Sequence, residues 1–197
     1  KGIYERSDLK PREYEGLPDT NGILYGAVPP EFVDVIENGI HYQVNIVEGQ
    51  KSGFYCDQRE NRAITARYAK DKTVLDCFSY SGGFTLNAFR EGAKSITSVD
   101  SSGLAIETLK NNIRLNGFDS SKHTAVQSDV NKYLRELGEQ GEKFDVIVLD
   151  PPKYAPTRSA LEKASRAYKD LNRRGLVLLN SGGLLATFSC SGAMDID

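Results

Sequence analysis

The sequence predicts an α/β fold, in which an open parallel sheet with helices on both faces is preceded by a small antiparallel β unit. Three observations predict it. From residue 74 onward, five short β-prone runs alternate with helical stretches, the signature of right-handed βαβ units. The fourth run, residues 144–149, is almost continuously apolar, as suits a strand covered on both faces. Ahead of them, Asn38-Gly39 separates two β-prone runs, a strong short-range hairpin signal.

The elements follow in order. Residues 1–30 hold Pro11, Pro18, Pro29, Pro30, Gly16, Gly22 and Gly26 among many charges, and read as irregular, wrapping structure. Residues 32–55 read as the antiparallel unit, ending near Gly53, and residues 57–69 as a helix. The first buried strand is placed at 74–78, followed by a helix at 84–90 that Gly92 ends. A second strand at 95–100 leads to a helix at 103–116, closed by Asn116-Gly117. A third strand spans 124–128, a short helix 130–137, and the fourth strand 144–149. Leu161, Ala164, Tyr168 and Leu171 share one face of the next helix, and residues 184–189 form the fifth strand. We divide the chain into a β-rich region, residues 1–55, and a sheet domain, residues 56–197.

Composition narrows the function. At 197 residues with 39% hydrophobic and 26% charged residues, the chain can bury an ordinary core. No run of about 18 or more apolar residues is present to span a membrane. Three widely spaced cysteines argue against a disulfide framework and for a reducing, cytoplasmic setting. With only two histidines, the sequence argues against a metal site. A net charge of −2 does not announce nucleic-acid binding, so such a role needs a local basic patch. The opening Lys1-Gly2-Ile3 has neither Met nor an apolar leader, which suggests an excerpt of a longer chain.

In an open parallel sheet, ligands sit beyond the carboxyl ends of the strands. After the first strand comes Asp76-Cys77-Phe78-Ser79-Tyr80-Ser81-Gly82-Gly83, a turn feeding a helix N-terminus, where glycine lets backbone approach a ligand. It lacks the third glycine of a dinucleotide fingerprint, and a glycine pair also suits any tight turn. After the second strand come Asp100 and Ser101, and a carboxylate there suits a ribose diol, whether of NAD or of S-adenosylmethionine. After the third come Asp129 and Val130, where Asp129 suits an adenine amine or simply caps the next helix.

Asp150-Pro151-Pro152-Lys153 closes the fourth strand. Two prolines fix a rigid turn and hold Asp150 at the sheet edge, facing a flat base or amine. Cys190, in the polar run Ser189-Cys190-Ser191-Gly192 after the fifth strand, becomes the neighbour of Asp150 if those strands are adjacent. Cys77 and Cys56 read instead as small buried apolar residues. A thiolate suits one methyl transfer above others, because carbon 5 of a pyrimidine is not nucleophilic until a nucleophile adds at carbon 6. Lys153, Tyr154, Arg158, Lys163, Arg166, Arg173 and Arg174 suit phosphate contacts, or a solvated helix face. A nitrogen methyltransferase using Asp150 alone, a nucleotide-dependent oxidoreductase and a silent RNA-binding module are the competing readings.

Taken together, GFYCDQRENR at 53–62, LDCFSYSGGF, VDSS, IRLNGF, FDVIVLDPPKY and FSCSG resemble the bacterial large-subunit ribosomal RNA cytosine-5 methyltransferase I family. The resemblance, from about residue 30 to 194, implies a Rossmann-like class I methyltransferase domain. It implies S-adenosylmethionine as cofactor, held by Asp57, Gln58, Arg59, Asp76, Phe78, Ser79, Tyr80, Ser81, Gly82, Asp100, Ser101, Asp129, Val130 and Asp150. It further implies Cys190 as nucleophile, Asp150 as base-binding acid, and large-subunit ribosomal RNA as partner, met through Lys153, Tyr154 and Arg158. In that family an RNA-binding PUA domain precedes this stretch and an antiparallel strand pair follows the fifth strand, so the sequence reads as an excerpt lacking both. An unpaired sheet edge left there would invite a homodimer. A sister group that methylates guanine shares the Asp-Pro-Pro turn but lacks the cysteine, so Cys190 decides between them.

Overall fold

A computed structural model describes residues 1–7, 12, 14–18, 20–49, 53–154 and 161–190. Its centre is a five-stranded parallel sheet made of β5 (Thr73–Cys77), β6 (Ser95–Asp100), β7 (His123–Gln127), β8 (Phe144–Leu149) and β9 (Leu179–Thr187), in the order β7-β6-β5-β8-β9. The chain reverses direction across the sheet between β5 and β8, which makes their carboxyl ends the switch point. The registers pair Cys77 with both Val99 and Leu149, and Leu149 with Thr187. Asp100, Asp150 and Phe188 therefore leave the sheet along one edge.

Helices cover both faces, as the sequence predicts. On one side lie α1 (Arg59–Ala66), α2 (Gly83–Arg90) and α3 (Gly103–Leu115); on the other lie α4 (Val130–Gln140) and α5 (Leu161–Val177). Alternation along each strand feeds two cores. Val74, Ile96 and Val146 pack with Leu86, Phe89, Leu109 and Ile113, while Leu75, Cys77, Val99 and Ile147 pack with Leu134, Leu137 and Leu171. Cys77 is fully buried as expected, but Cys56 is exposed, because it opens a 3₁₀ turn (Cys56–Gln58) on the surface.

The hairpin β3 (Val33–Glu37) and β4 (Ile40–Val44) turns at Asn38 and Gly39, both with positive φ, the geometry that Asn-Gly favours. Ile40, Tyr42 and Val44 join the first of the two cores. Its anchor is a buried ion pair: the Arg62 guanidinium forks onto both carboxylate oxygens of Glu37 (2.9 and 2.6 Å) and also donates to the Tyr55 carbonyl at 2.9 Å.

Two further expectations need correction. Residues 1–30 are not irregular throughout, since β1 (Gly2–Arg6) pairs antiparallel with β2 (Asn21–Gly26). Both strands are largely exposed, so no apolar alternation marks them in the sequence. The fifth strand of the sheet also starts earlier than expected, at Leu179. Asn180-Ser181-Gly182-Gly183 carries turn chemistry, yet it is absorbed as an irregularity where β9 slips register against β8, with Gly182 at φ 75°.

Gly82 shows why a glycine stands at the head of α2. Its φ is +93°, and a Cβ there would lie 2.1 Å from Leu109 Cδ1. Gly82→Ala is expected to destabilise the fold by about 1–3 kcal/mol, read by urea unfolding. Breaking the buried pair with Glu37→Gln or Arg62→Met is expected to cost more, about 3–5 kcal/mol, because one charge is left without its partner.

Candidate functional site

The loop from Asp76 to Gly83 is built under strain. Phe78 and Tyr80 adopt φ of 62° and 46°, conformations that side chains other than glycine seldom take. The turn is held from outside. The Tyr80 amide donates to Asp100 Oδ2 and the Ser102 amide to Asp100 Oδ1, both at 2.9 Å, so one carboxylate joins the loops after β5 and β6. Ser102 caps α3, accepting from the Ala105 amide, and Ser101 is exposed.

Asp76 lies 1% exposed at the head of α2. Its Oδ2 accepts from the Thr85 amide (3.0 Å) and hydroxyl (2.6 Å), a cap supplied from a neighbouring strand. Its Oδ1 and the Ser79 hydroxyl are both buried without a hydrogen-bond partner. Burial pushes Asp76 up to about 7, against the Thr85 bonds, with Asp150 and Asp100 adding like-charge repulsion. Two orphaned polar atoms beside three carboxylates suit a ligand carrying an ammonium and hydroxyl donors, which is the donor set of S-adenosylmethionine.

The room beside Gly82 and Gly83 is filled by protein. A Cβ at Gly83 would meet Arg62 Cδ at 2.8 Å, so both glycines serve helix packing.

The segment 53–62 crosses the same edge. Tyr80 donates its hydroxyl to the Gly53 carbonyl (3.3 Å), and the Tyr55 and Tyr80 rings meet edge to face at 5.6 Å. Gln58 Nε2 donates to Asp150 Oδ1 at 3.1 Å, while Asn61 Nδ2 holds Gln58 Oε1 at 2.7 Å. Burial raises the Tyr55 hydroxyl pKa, and Tyr80, Asp150, Cys190 and Asp57 raise it further, so these groups converge on one rim. Arg59 faces elsewhere, forking onto Asn38 Oδ1 in the hairpin turn at 3.1 and 2.9 Å. Asp57 is exposed in the 3₁₀ turn.

Cys190 is exposed, with Sγ 4.0 Å from the Pro151 carbonyl, beside Asp150. It is placed by β9: the Phe188 amide donates to the Leu149 carbonyl at 2.9 Å, and the Phe188 ring stacks on Phe84 at 5.3 Å. Asp129 caps α4, its Oδ1 accepting from the Lys132 amide, and Val130 is buried in the core. Lys153 is exposed, and Tyr154 packs against Tyr168 at 4.8 Å. Arg158 lies outside the described residues. Arg166, Arg173 and Arg174 pair with Glu162 and Asp170 on their own helix, which marks a solvated face. Tyr55, Thr85 and Arg62 escaped the sequence reading because each acts through a partner distant in the chain.

Known proteins resemble this chain in sequence and fold. Residues 12–196 match the family model of S-adenosylmethionine-dependent methyltransferases. A protein of Shewanella denitrificans named ribosomal RNA large subunit methyltransferase I is 51% identical over 195 residues, covering 99% of this chain and 49% of that protein. One of the same name from Aliivibrio fischeri is 50% identical over 193 residues, covering 98% of this chain and 49% of that protein. The chain thus spans about half the length of the curated relatives it matches. A crystal structure of a protein described as a methyltransferase, complexed with SAH, superposes with a TM-score of 0.80 at 31% identity, over 89% of this chain and 46% of that one. With that family model matched over nearly its whole length, the chain belongs to the S-adenosylmethionine-dependent methyltransferase family.

Proposed function

We propose that this chain carries the catalytic part of an RNA methyltransferase that forms 5-methylcytidine in large-subunit ribosomal RNA, in the cytoplasm, with Cys190 as nucleophile. The observation that carries the reading is an exposed thiol beside the Asp150-Pro151 turn at the switch-point edge. The names of its relatives support the substrate class.

Asp76, Asp100 and the loop 78–82 would hold S-adenosylmethionine, which supplies an electrophilic methyl group. Gln58 fixes the Asp150 carboxylate, which accepts hydrogen bonds from the amino edge of an extruded cytosine. The Cys190 thiolate forms a bond to carbon 6, and the displaced electron pair makes carbon 5 nucleophilic. Carbon 5 would take the methyl group as its bond to the sulfonium sulfur breaks, leaving the neutral thioether S-adenosylhomocysteine; carbon 5 then gives up its proton to a base, and that electron pair re-forms the ring double bond and expels the thiolate. Lys153 is the exposed cation nearest to the turn in sequence and suits a flanking phosphate. Tyr154 and Arg158 complete the proposed RNA contact.

Three outcomes test this. In the full-length protein, Cys190→Ala is expected to abolish methyl transfer while changing S-adenosylhomocysteine affinity by less than about twofold. RNA carrying 5-fluorocytosine is expected to trap a covalent adduct with the wild type and none with that variant; normal turnover by Cys190→Ala, or a product methylated on a ring nitrogen, overturns the nucleophile. Gln58→Ala is expected to lower kcat/KM by about two- to tenfold by freeing one hydrogen bond to Asp150.

A further inference from the structure

Behind the cofactor loop, a line of hydrogen bonds crosses the sheet. Thr85 Oγ1 lies 2.6 Å from both Asp76 Oδ2 and Ser98 Oγ, and Ser98 Oγ lies 2.9 Å from His123 Nε2. Thr85 and Ser98 are fully buried, and His123 is half-buried at the start of β7. Each hydroxyl carries one proton, which sets the polarity of the line. Thr85 gives its proton to Asp76, so it must accept from Ser98; Ser98 gives its proton to Thr85, so it must accept from His123. His123 therefore carries its proton on Nε2. With Oδ2 saturated by the Thr85 amide and hydroxyl, Oδ1 is the oxygen left for a ligand.

We propose that His123 is a positioning residue for Asp76: through Ser98 and Thr85 it holds the carboxylate as a charged acceptor with Oδ1 presented to the cofactor. The proposal rests on Asp76 facing that cofactor. Donors in series polarise one another, so the outermost one strengthens the innermost bond. Burial and the nearby Lys110 charge push His123 down to about 4, so near neutral pH it is the single-proton donor that the line requires. Asp76, close to its midpoint at neutral pH, is the group such a bias tips; Asp100 and Asp150 face it from the neighbouring strand ends and oppose ionisation. The other end of the line opens on a surface hollow lined by Lys110, Ile113, Arg114, Ser120 and Ala125.

The test is calorimetric binding of S-adenosylhomocysteine from pH 5.5 to 9, beside carboxyl carbon NMR titration of Asp76 in the ligand-free protein. Affinity is expected to rise with pH as Asp76 ionises. His123→Ala and Ser98→Ala are each expected to move both midpoints up by about half to one pH unit, weakening binding about two- to fivefold at pH 7. His123→Gln, whose amide still donates, is expected to restore the wild-type midpoint. A His123→Ala profile unchanged in midpoint, or weakened equally at every pH, overturns the proposal. If wild-type protein fails to bind S-adenosylhomocysteine, the facing of Asp76 to the cofactor is lost, and the NMR midpoints still decide whether His123 acts on Asp76.

Discussion

The arrangement depends on the Arg62 guanidinium. In one buried place it forks onto Glu37 of the hairpin, holds the Tyr55 carbonyl, lies 5.0 Å over the Phe54 ring and packs against Gly83 at the start of α2. A planar cation with several fixed donors can serve so many directions at once; a lysine could not. The hairpin, the crossing segment and the loop after β5 thereby share one anchor. Desolvating that charge is costly, and the pair persists because both Glu37 oxygens and the Tyr55 carbonyl are aimed at it.

From this anchor the chemistry is laid out by strand register. Because β5, β6, β8 and β9 end level, acidic residues placed after different strands become neighbours without any loop being specified in detail. The polar groups then divide by environment. Asp100 is tied down by two backbone amides, whereas Asp76 is sealed behind α2 with one oxygen unmatched. Carboxylates of the same chemical type are thus prepared for different tasks by what surrounds them.

Much of this was legible in the sequence, and for identifiable reasons. Continuous apolar runs with Gly and Asn punctuation located the central strands β5 and β8 closely, because burial on two faces leaves a clear pattern, while the start of the half-exposed edge strand β9 was missed. Asn38-Gly39 announced its turn outright. The β1–β2 pair was not legible, since strands that bury little leave little trace. In the site, Asp76, Asp100, Asp150 and Cys190 could be placed by counting to strand ends. Glu37 with Arg62, and Thr85 with Ser98 and His123, could not. Their meaning lies in pairings across the fold, and singly each looks like an ordinary surface or strand residue.

The backbone around the switch point has little freedom left. Two consecutive prolines lack amide hydrogens and fix the turn after β8, while Phe78 and Tyr80 are pinned in left-handed conformations on the other side. Any ligand arriving between those walls finds a cast mould, so the work of changing shape falls on the visitor rather than on its host.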